Sequence, residues 1–398
     1  MHDVIVIGAG PGGATAARYL SKLGLDVCLI DKDEFPRDKP CGGGFSRGIV
    51  DDFPYLKSRS SEFIKGIARV GVLHSPNRQI VLEGKVDMAV ALRKEFDNVL
   101  FEEAVTAGSL PLTGTRAKAI SFQNDSVTVE VSGGKTIKGR VIIGADGVTS
   151  MVGRQTGLNT RWPRSAITAC RVCEVPATMT EIVDRYTENL NYHFFASLGG
   201  QPGYGWIFPK KDTINVGLGI VGSHAQGLPR TFDTFIRYLK RRELLMHNSN
   251  LSNTKGALVP TGGPIQQTVR NRCILLGDSA GQVSPLTGGG IVYAMRAARY
   301  AAHVIVNALE SDRVDASVLE KYQRLWKEDF GEEFRYQLLA QKLFTGPFTD
   351  VLFKIGSKDK KIQEMVSNSM SESAEMDIDI KRLVLRTLMV CLREATKF

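Results

Sequence analysis

A glycine-rich turn near the amino terminus constrains the fold of this chain more than any other feature. The turn, GAGPGG at residues 8–13, follows a β-branched apolar run and opens a segment with helical periodicity. Residues 25–31 form a second apolar run, so the chain is predicted to begin with a βαβ unit. In such a unit Gly8 permits the tight turn, Gly10 lets the backbone approach a pyrophosphate, and Gly13 lets helix and strand pack closely.

An acidic residue, Asp31, ends the second predicted strand. A carboxylate there can accept hydrogen bonds from both ribose hydroxyls and would repel a 2′-phosphate, which favours FAD or NAD over NADP. The helix that starts after Gly10 offers free N–H groups and a partial positive charge to the phosphates. The predicted dinucleotide site consists of Gly8, Gly10, Pro11, Gly13, Ala14, Asp31 and Lys32.

Two further turns decide between FAD and NAD. One ends the apolar run VIIGADG at residues 141–147, and the other lies within residues 273–295, where glycines lead into a long helix. Asp278 is placed to hydrogen-bond the ribityl chain of a flavin. N–H groups at the helix start can approach the flavin N1–C2=O edge, where the reduced ring is negatively charged. An NAD enzyme does not need this element, so FAD is the predicted cofactor. The residues assigned to it in these turns are Ala145, Asp146, Gly147, Gly277, Asp278, Pro285, Gly288, Gly289, Gly290 and Ile291.

The three motifs, in this order and spacing, resemble the FAD-dependent hydroxylase superfamily of aromatic hydroxylases, flavin halogenases and geranylgeranyl reductases. The resemblance covers roughly residues 1–310. Residues 93–100 are similar to its R-x-x-F-D-x-x-L helix, whose arginine lies near the flavin. The resemblance therefore implies that Arg93 approaches the cofactor, and the alternative is a cation on a helix surface.

Two other segments resemble the geranylgeranyl reductases in particular. KPCGGGFSR at residues 39–47 is similar to their P-C-G-G/E-G motif, which lies over the flavin. PGYGWIFPKKDTINVG at residues 202–217 is similar to their Y-x-W-x-F-P motif on the substrate sheet, which N-V-G follows. The resemblance implies Cys41, Gly42 and Gly43 as further cofactor contacts, and Gly44, Tyr204, Trp206, Phe208 and Pro209 as substrate contacts.

The aromatic residues of the second segment suit a hydrocarbon substrate. Tyr204, Trp206 and Phe208 alternate along a predicted strand, so their side chains should share one face. They could form a wall against a prenyl chain, or they could be an ordinary aromatic core. Pro209 is expected to end the strand.

Saturation of an unactivated alkene requires a hydride and a proton. Reduced flavin N5 would supply the hydride. Cys41, Tyr204 or water could supply the proton, and the predicted catalytic residues are Cys41, Tyr204 and Trp206. Cys41 has a simpler alternative as a small packing residue in its glycine loop, and His193 is interpreted as structural.

The interleaved strands and helices predict an α/β (α+β) fold with a discontinuous Rossmann-like FAD-binding domain. An antiparallel β-rich substrate domain is expected to be inserted into it, and the carboxyl-terminal region is expected to be helical. The predicted boundaries are 1–66, 85–160 and 256–310 for the FAD-binding domain, 67–84 and 161–255 for the β-rich domain, and 311–398 for the helical region.

Composition limits the classes of partner. The net charge of +9 fits a solvated basic surface, an anionic lipid, a phosphorylated substrate or an acidic electron carrier, whereas no motif for nucleic acid accompanies it. The six cysteines are sparse, and the pair Cys170 and Cys173 lacks neighbouring ligands, so no metal site is predicted. We expect a monomer.

The expected location is cytoplasmic. The amino terminus has no basic leader, and no run is apolar over the roughly 18 residues that a spanning helix needs. Residues 380–398 mix apolar and basic side chains, which indicates either peripheral membrane contact or a packed helix with a solvated face.

The predicted function is FAD-dependent reduction of C=C bonds in geranylgeranyl chains of an isoprenoid lipid. A flavin monooxygenase or halogenase is one alternative, although halogenases carry W-x-W-x-I-P where this chain has Tyr204 and Phe208 at the first and fifth positions. A redox-silent prenyl-lipid-binding flavoprotein, isomerase or cyclase is the alternative of another class. The electron donor is either NADPH or a ferredoxin-like carrier.

Overall fold

A computed structural model describes residues 1–346 and 349–369, together with 382, 385–387, 389 and 390. It confirms the mixed α/β class, since helices and two eight-stranded sheets make up these residues. The strands are β1 (His2–Ile7), β2 (Val27–Ile30), β3 (Gly44–Ser46), β4 (Ile64–His74), β5 (Val81–Ala91), β6 (Leu110–Leu112), β7 (Ala117–Phe122), β8 (Val127–Val131), β9 (Thr136–Gly144), β10 (Thr168–Pro176), β11 (Tyr192–Ala196), β12 (Gly203–Pro209), β13 (Thr213–Val221), β14 (Lys255–Val259), β15 (Val269–Arg270) and β16 (Cys273–Leu275). The helices are α1 (Pro11–Lys22), α2 (Ile49–Asp52), α3 (Ser60–Phe63), α4 (Arg93–Thr106), α5 (Met151–Thr156), α6 (Met179–Tyr186), α7 (Leu228–Arg241), α8 (Ile291–Glu310), α9 (Ala316–Trp326), α10 (Glu332–Phe344), α11 (Thr349–Gly356) and α12 (Lys360–Ser369).

The chain divides into two compact units, each assembled from separated segments. The first unit comprises residues 1–39, 93–163 and 259–334, and the second comprises residues 40–92, 164–258 and the described part of 335–398. This division differs from the predicted one, which placed residues 40–66 and 85–92 with the FAD-binding segments. They lie in the second unit because β3 and β4 both pair with β5.

The first unit is built on a mixed sheet in the order β15-β16-β9-β1-β2-β6, in which the five strands from β16 to β6 run parallel. The antiparallel strands β7 and β8 extend it beside β9, and β15 is antiparallel to β16. β1 runs parallel to both β2 and β9, with Val4 opposite Val27 and Val141. All three valines are fully buried, as expected for strands that are covered on both faces. Because the strands are parallel, the turns that follow β1, β2, β9 and β16 lie at one edge of the sheet.

The second unit is built on a sheet in the order β14-β10-β13-β12-β11-β4-β5-β3. Its ladders are mainly antiparallel, while β4 and β11 are parallel. One face packs in a core with side chains of α7, including Phe232 and Phe235. The opposite face carries the side chains that alternate with this core, among them Trp206.

Local differences from the predicted elements have identifiable causes. The apolar pattern of residues 88–107 predicts a helix over that range, but α4 begins at Arg93, because residues 88–91 complete β5 and Ala89 is fully buried there. The short strand β6 was not predicted, since three residues give too little periodicity to detect. None of the helices among the described residues is long and apolar enough to cross a bilayer.

Candidate functional site

The glycine turn after β1 requires glycine at two positions. Gly8 has φ +98°, and a Cβ atom there would lie 2.3 Å from the carbonyl oxygen of Ala145. A Cβ atom on Gly13 would lie 1.7 Å from the oxygen of Gly8. Helix α1 begins at Pro11 with no side chain capping its amino terminus, so the N–H groups of its first turn are available to an anion.

Asp31 follows β2 and is nearly buried, at 7% exposure. One carboxylate oxygen accepts from the N–H of Ala9 at 2.7 Å, and the other accepts from the N–H of Asp33 at 2.9 Å. The side chain therefore braces the glycine turn, and each oxygen keeps lone pairs for a ribose hydroxyl. Lys32 directs its ammonium group to the Asp33 carboxylate at 2.7 Å on the exposed side.

Asp146, in the turn after β9, has a local structural role. Its carboxylate accepts from the N–H groups of Met151 at 2.6 Å and Val152 at 3.1 Å, and from the Ser150 hydroxyl. Burial raises the pKa of Asp146, and these hydrogen bonds act in the opposite direction. Since the carboxylate caps α5, its predicted cofactor contact stays a prediction. Gly147 has φ +79° and open space where a Cβ would be, so the backbone itself is accessible there.

The turn after β16 leaves a carboxylate without a protein partner. Asp278 is half-buried, and within the described part of the chain no group donates a hydrogen bond to its side chain. Burial raises its pKa, while the charges of Lys39 and Arg93 act in the opposite direction. A Cβ on Gly290, which precedes α8, would lie 3.4 Å from this carboxylate. The unpaired acceptor therefore lies beside an uncapped helix amino terminus, where a polyol with hydroxyl donors would fit.

Arg93 is not a surface cation. Its guanidinium group donates to both oxygens of Asp97 at 2.6 and 2.7 Å, and its side chain is only 10% exposed. Arg37 also reaches Asp97, at 3.2 Å, and the Asp97 side chain is fully buried. Sequence analysis missed Arg37, although the R-x-x-F-D pattern would have indicated the pairing of Arg93 with Asp97.

These observations fit FAD in the first unit. Two helix amino termini without side-chain caps suit a pyrophosphate and an anionic flavin edge, and Asp31 and Asp278 offer acceptors for ribose and ribityl hydroxyls. The turns after β1, β2, β9 and β16 lie at the same sheet edge, and the residues predicted for this unit lie in these turns, in the first turn of α1 or in the segment that leads into and begins α8. They are Gly8, Gly10, Pro11, Gly13, Ala14, Asp31, Lys32, Ala145, Asp146, Gly147, Gly277, Asp278, Pro285, Gly288, Gly289, Gly290 and Ile291, with Arg93 at the start of α4.

The second unit presents a row of aromatic rings on β12. The ring centroids of Tyr204 and Trp206 are 5.7 Å apart, and those of Trp206 and Phe208 are 6.3 Å apart. Phe194 and Tyr192 on β11 extend the row, at 5.4 and 4.4 Å from Phe208. The three β12 side chains thus share one face, as the alternation predicted. Pro209 is the last residue of β12.

The glycine loop before β3 packs against this row. A Cβ on Gly42 would lie 2.7 Å from the Phe208 ring, and Gly43 has φ +78° with its Cβ position 2.1 Å from the oxygen of Ala91. A Cβ on Gly44 would lie 3.5 Å from the Phe208 ring. Among the cysteines of this unit that the structure describes, Cys41 is the partly exposed one, and its sulfur accepts from the N–H of Gly43 at 3.4 Å.

Three polar residues to which sequence analysis gave no role connect the loop to the row. Asn215 accepts from the Trp206 indole N–H at 2.7 Å and donates to the Cys41 carbonyl at 3.0 Å. Lys210 and Glu174 form an ion pair at 2.6 Å beside it. Asn215 interrupts the apolar β13 segment, which is a signal that could have found it.

The other cysteine and histidine side chains that sequence analysis considered in this unit, Cys170, Cys173 and His193, lie in the packed interior. Cys170 and Cys173 are three positions apart on β10, so their side chains point to opposite faces, and burial raises both pKa values. His193 lies 3.0 Å from His74 between the ring nitrogens, and both rings are buried. Burial lowers the pKa of His193 to about 4, which fits the structural interpretation.

Comparison with known proteins identifies the family. The FAD binding domain family matches residues 1–327. The digeranylgeranylglycerophospholipid reductase of Methanocaldococcus jannaschii is 31% identical over 393 residues, which cover 98% of this chain and 95% of that protein. The chain belongs to this family of FAD-dependent reductases. It is an FAD-dependent oxidoreductase.

Solved structures share the fold of this reductase family member. A geranylgeranyl bacteriochlorophyll reductase-like protein from Thermoplasma acidophilum superimposes with a TM-score of 0.84 at 24% identity, covering 100% of this chain and 98% of that one. A halogenase crystallised with FAD superimposes with a TM-score of 0.72 at 17% identity, covering 96% and 83% of the two chains. At these identities the likeness shows the fold alone.

Proposed function

We propose that this protein saturates C=C bonds in the geranylgeranyl chains of an isoprenoid glycerophospholipid or its precursor. The observation that carries the proposal is the β12 aromatic row, Tyr204, Trp206 and Phe208, in a chain whose near-full-length relative is named for this substrate class. A continuous row of aromatic rings offers an apolar surface that suits a polyene better than a polar substrate.

When bound and reduced, FAD supplies the hydride through its N5 atom. The first-unit residues named above would hold it: Asp31 would accept from the adenosine ribose, Asp278 from the ribityl chain, and the amino termini of α1 and α8 would face negative charge. Cys41, Gly42, Gly43 and Arg93 are proposed as further contacts.

The second hydrogen must arrive as a proton. Each saturated bond takes one hydride and one proton, and the pair of electrons comes with the hydride. Cys41 and Tyr204 are the proposed donors on the protein, and both side chains are partly exposed on the second unit. Trp206 is proposed to orient the chain, since its ring position is fixed by the bond to Asn215.

An external reductant must restore the cofactor, either NADPH or a ferredoxin-like carrier. Anaerobic mixing of the oxidised holoprotein with each donor in turn separates them. The physiological donor should bleach the flavin absorbance rapidly, and the other should do so slowly.

Peripheral membrane contact is proposed for the carboxyl-terminal region. Most of the basic amphipathic segment 380–398 lies outside the described residues. Among those described, Leu385 and Met389 are 50% and 62% exposed, and Val351 on α11 is 53% exposed. Lys354 lies one turn after Val351 on the same side of α11, and Lys358 follows in the turn after the helix. Sedimentation with anionic and with zwitterionic vesicles tests this, and binding to neither would contradict it.

The decisive experiment is anaerobic incubation of dithionite-reduced holoprotein with a geranylgeranyl-chain ether lipid. We expect mass spectrometry to show the gain of one pair of hydrogen atoms per bond. A product that forms only with oxygen would instead indicate a monooxygenase or halogenase. An isomer of unchanged mass, or no product despite lipid binding, would indicate the redox-silent alternative.

A further inference from the structure

Glu174, Lys210 and Asn215 are polar side chains, partly buried at Glu174 and fully buried at the other two, that neither the predicted cofactor site nor the aromatic row accounts for. They come from β10, from the residue after β12 and from β13, and Lys210 and Asn215 have no solvent exposure. We name these three residues the polar clamp. Burying polar and charged groups is unfavourable unless every hydrogen bond is made, so their arrangement needs an explanation.

The orientation of Asn215 is fixed by chemistry. The indole nitrogen of Trp206 can only donate, so the Asn215 oxygen must face it, at 2.7 Å. The amide nitrogen then donates to the Cys41 carbonyl at 3.0 Å and to Glu174 at 2.6 Å. One side chain therefore joins the aromatic row, the glycine loop and the ion pair.

Lys210 holds the next carbonyl of the same loop. Its ammonium group donates to the Gly42 oxygen at 3.4 Å and to Glu174 at 2.6 Å. The Cε atom of Lys210 lies 3.5 Å from the Cβ position of Gly43, so the side chain also packs against the glycine loop. The consecutive carbonyls of Cys41 and Gly42 are thus both held by the polar clamp.

The glycines around the polar clamp show how closely these parts fit. A Cβ on Gly217 would lie 2.2 Å from the Trp206 indole, and one on Gly42 would lie 2.7 Å from Phe208. Gly217 therefore leaves room for the indole, and Asn215, two residues earlier on the same face of β13, binds its N–H group. The ring and the loop can each occupy only a narrow range of positions.

We propose that Asn215, held by the Glu174–Lys210 ion pair, is a positioning residue. It fixes the Trp206 indole and the Cys41–Gly42 backbone in a single arrangement. The consequence for turnover rests on the proposed function, because the prenyl chain is proposed to bind against these groups. The structural part of the inference is independent of any activity.

The test compares Asn215→Leu with Asn248→Leu, a matched change at an exposed position of the same unit. Cys41 is labelled with iodoacetamide in a Cys391→Ser background, because the other four cysteines are buried. We expect labelling of Cys41 about tenfold faster in Asn215→Leu and unchanged in Asn248→Leu. An unchanged rate in Asn215→Leu would overturn the proposal.

A second readout follows the indole directly. The chain has three tryptophans, and loss of one resonance in Trp206→Phe assigns the Trp206 indole N–H in a ¹H–¹⁵N spectrum. This resonance should move upfield in Asn215→Leu, because the hydrogen bond is lost. If that variant does not fold, the labelling rate and the indole resonance are measured in Asn215→Ser instead, since its shorter side chain cannot reach the Cys41 carbonyl.

Turnover separates the two proposals. In Asn215→Leu we expect kcat for prenyl reduction to fall about tenfold, while flavin content and the rate of flavin reduction by dithionite stay unchanged. Faster labelling in a protein whose parent reduces no lipid would refute the proposed function and leave the positioning role supported. Normal kcat together with a displaced indole would refute the consequence for turnover, whereas an unmoved indole and an unchanged labelling rate would refute the positioning role.

Discussion

The two units hold their candidate sites by different means. In the first unit the groups offered to a ligand are mainly backbone N–H groups at the turns after parallel strands, and few side chains are needed to hold them. In the second unit, the polar clamp holds the glycine loop and the aromatic row through buried side-chain hydrogen bonds. The difference implies that a single methyl group should disable the first site, whereas the second should respond to loss of individual side chains.

The largest effect is expected for Gly8→Ala. The added methyl would meet the Ala145 oxygen at 2.3 Å in a left-handed backbone conformation, so the turn must open and flavin binding should be almost abolished. Absorbance of the purified protein measures this. Gly133→Ala is the matched control, because Gly133 also has positive φ but has nothing within 4 Å of its Cβ position. Equal flavin loss in both variants would mean that the left-handed backbone conformation, rather than the close approach to the Ala145 oxygen, requires glycine at position 8.

Trp206→Ala should lower prenyl turnover about a hundredfold and leave the flavin bound. The change removes the ring that touches both neighbours in the aromatic row and leaves Asn215 without its donor. Product formation and flavin absorbance are measured on the same sample. Trp206→Phe should retain more activity, because it keeps a ring in the row. Full activity of the alanine variant would show that the row does not bind substrate.

Asp31→Ala should weaken FAD binding about tenfold. The substitution removes acceptors for the Ala9 and Asp33 N–H groups as well as for the ribose, at a cost of about 1–2 kcal/mol. Titration of the apoprotein with FAD gives the Kd. Asp33→Ala is the control, since that side chain is exposed and pairs with Lys32. A Kd equal to that of the parent would contradict the assigned role of Asp31.

The smallest effect concerns acid sensitivity of the second unit. Burial and the neighbouring His193 lower the pKa of His74 to about 3, and burial lowers that of His193 to about 4, from a usual value of 6.5. The unfolded chain therefore binds more protons between pH 6.5 and about 3, and stability falls as the pH drops through this window. From pH 7 to 6 the pair should lose on the order of 1 kcal/mol.

Urea unfolding at several pH values measures this dependence. His74→Phe keeps a ring stacked on Phe195 and removes one of the two groups, so the slope of stability against pH should be roughly halved. His224→Gln, at an exposed position, is the control. If the slope of stability against pH is unaltered in His74→Phe, the buried His74–His193 pair is not the cause of the acid sensitivity.

The sequence predicted the first site better than the second because its signals are local. The glycine turn and Asp31 lie within one βαβ unit, where each residue type follows from a backbone requirement. The bond from Asn215 to the Cys41 carbonyl spans 174 residues of sequence, and no periodicity indicates it. Lys210 is a residue type usually found at the surface, so only the tertiary structure shows its burial and its ion pair with Glu174.

The helix prediction over residues 88–107 illustrates a second limit. Residues 88–91 carry apolar side chains that continue the helical pattern of α4. They nevertheless form the end of β5, because they pair with β3 on one side and β4 on the other. Long-range pairing thus overrode the local pattern. The same pairing moved residues 40–66 and 85–92 out of the predicted FAD-binding segments.

The order in which strands join the first unit has a consequence for biosynthesis. β1 pairs with β9, and β9 pairs with β16, so a nascent chain on the ribosome carries an unfinished parallel sheet until residues 273–275 have emerged. Helix α8 is made later still, at residues 291–310. Chains stopped before that point should be colourless and prone to chaperone capture, which makes flavin acquisition one of the last events of synthesis.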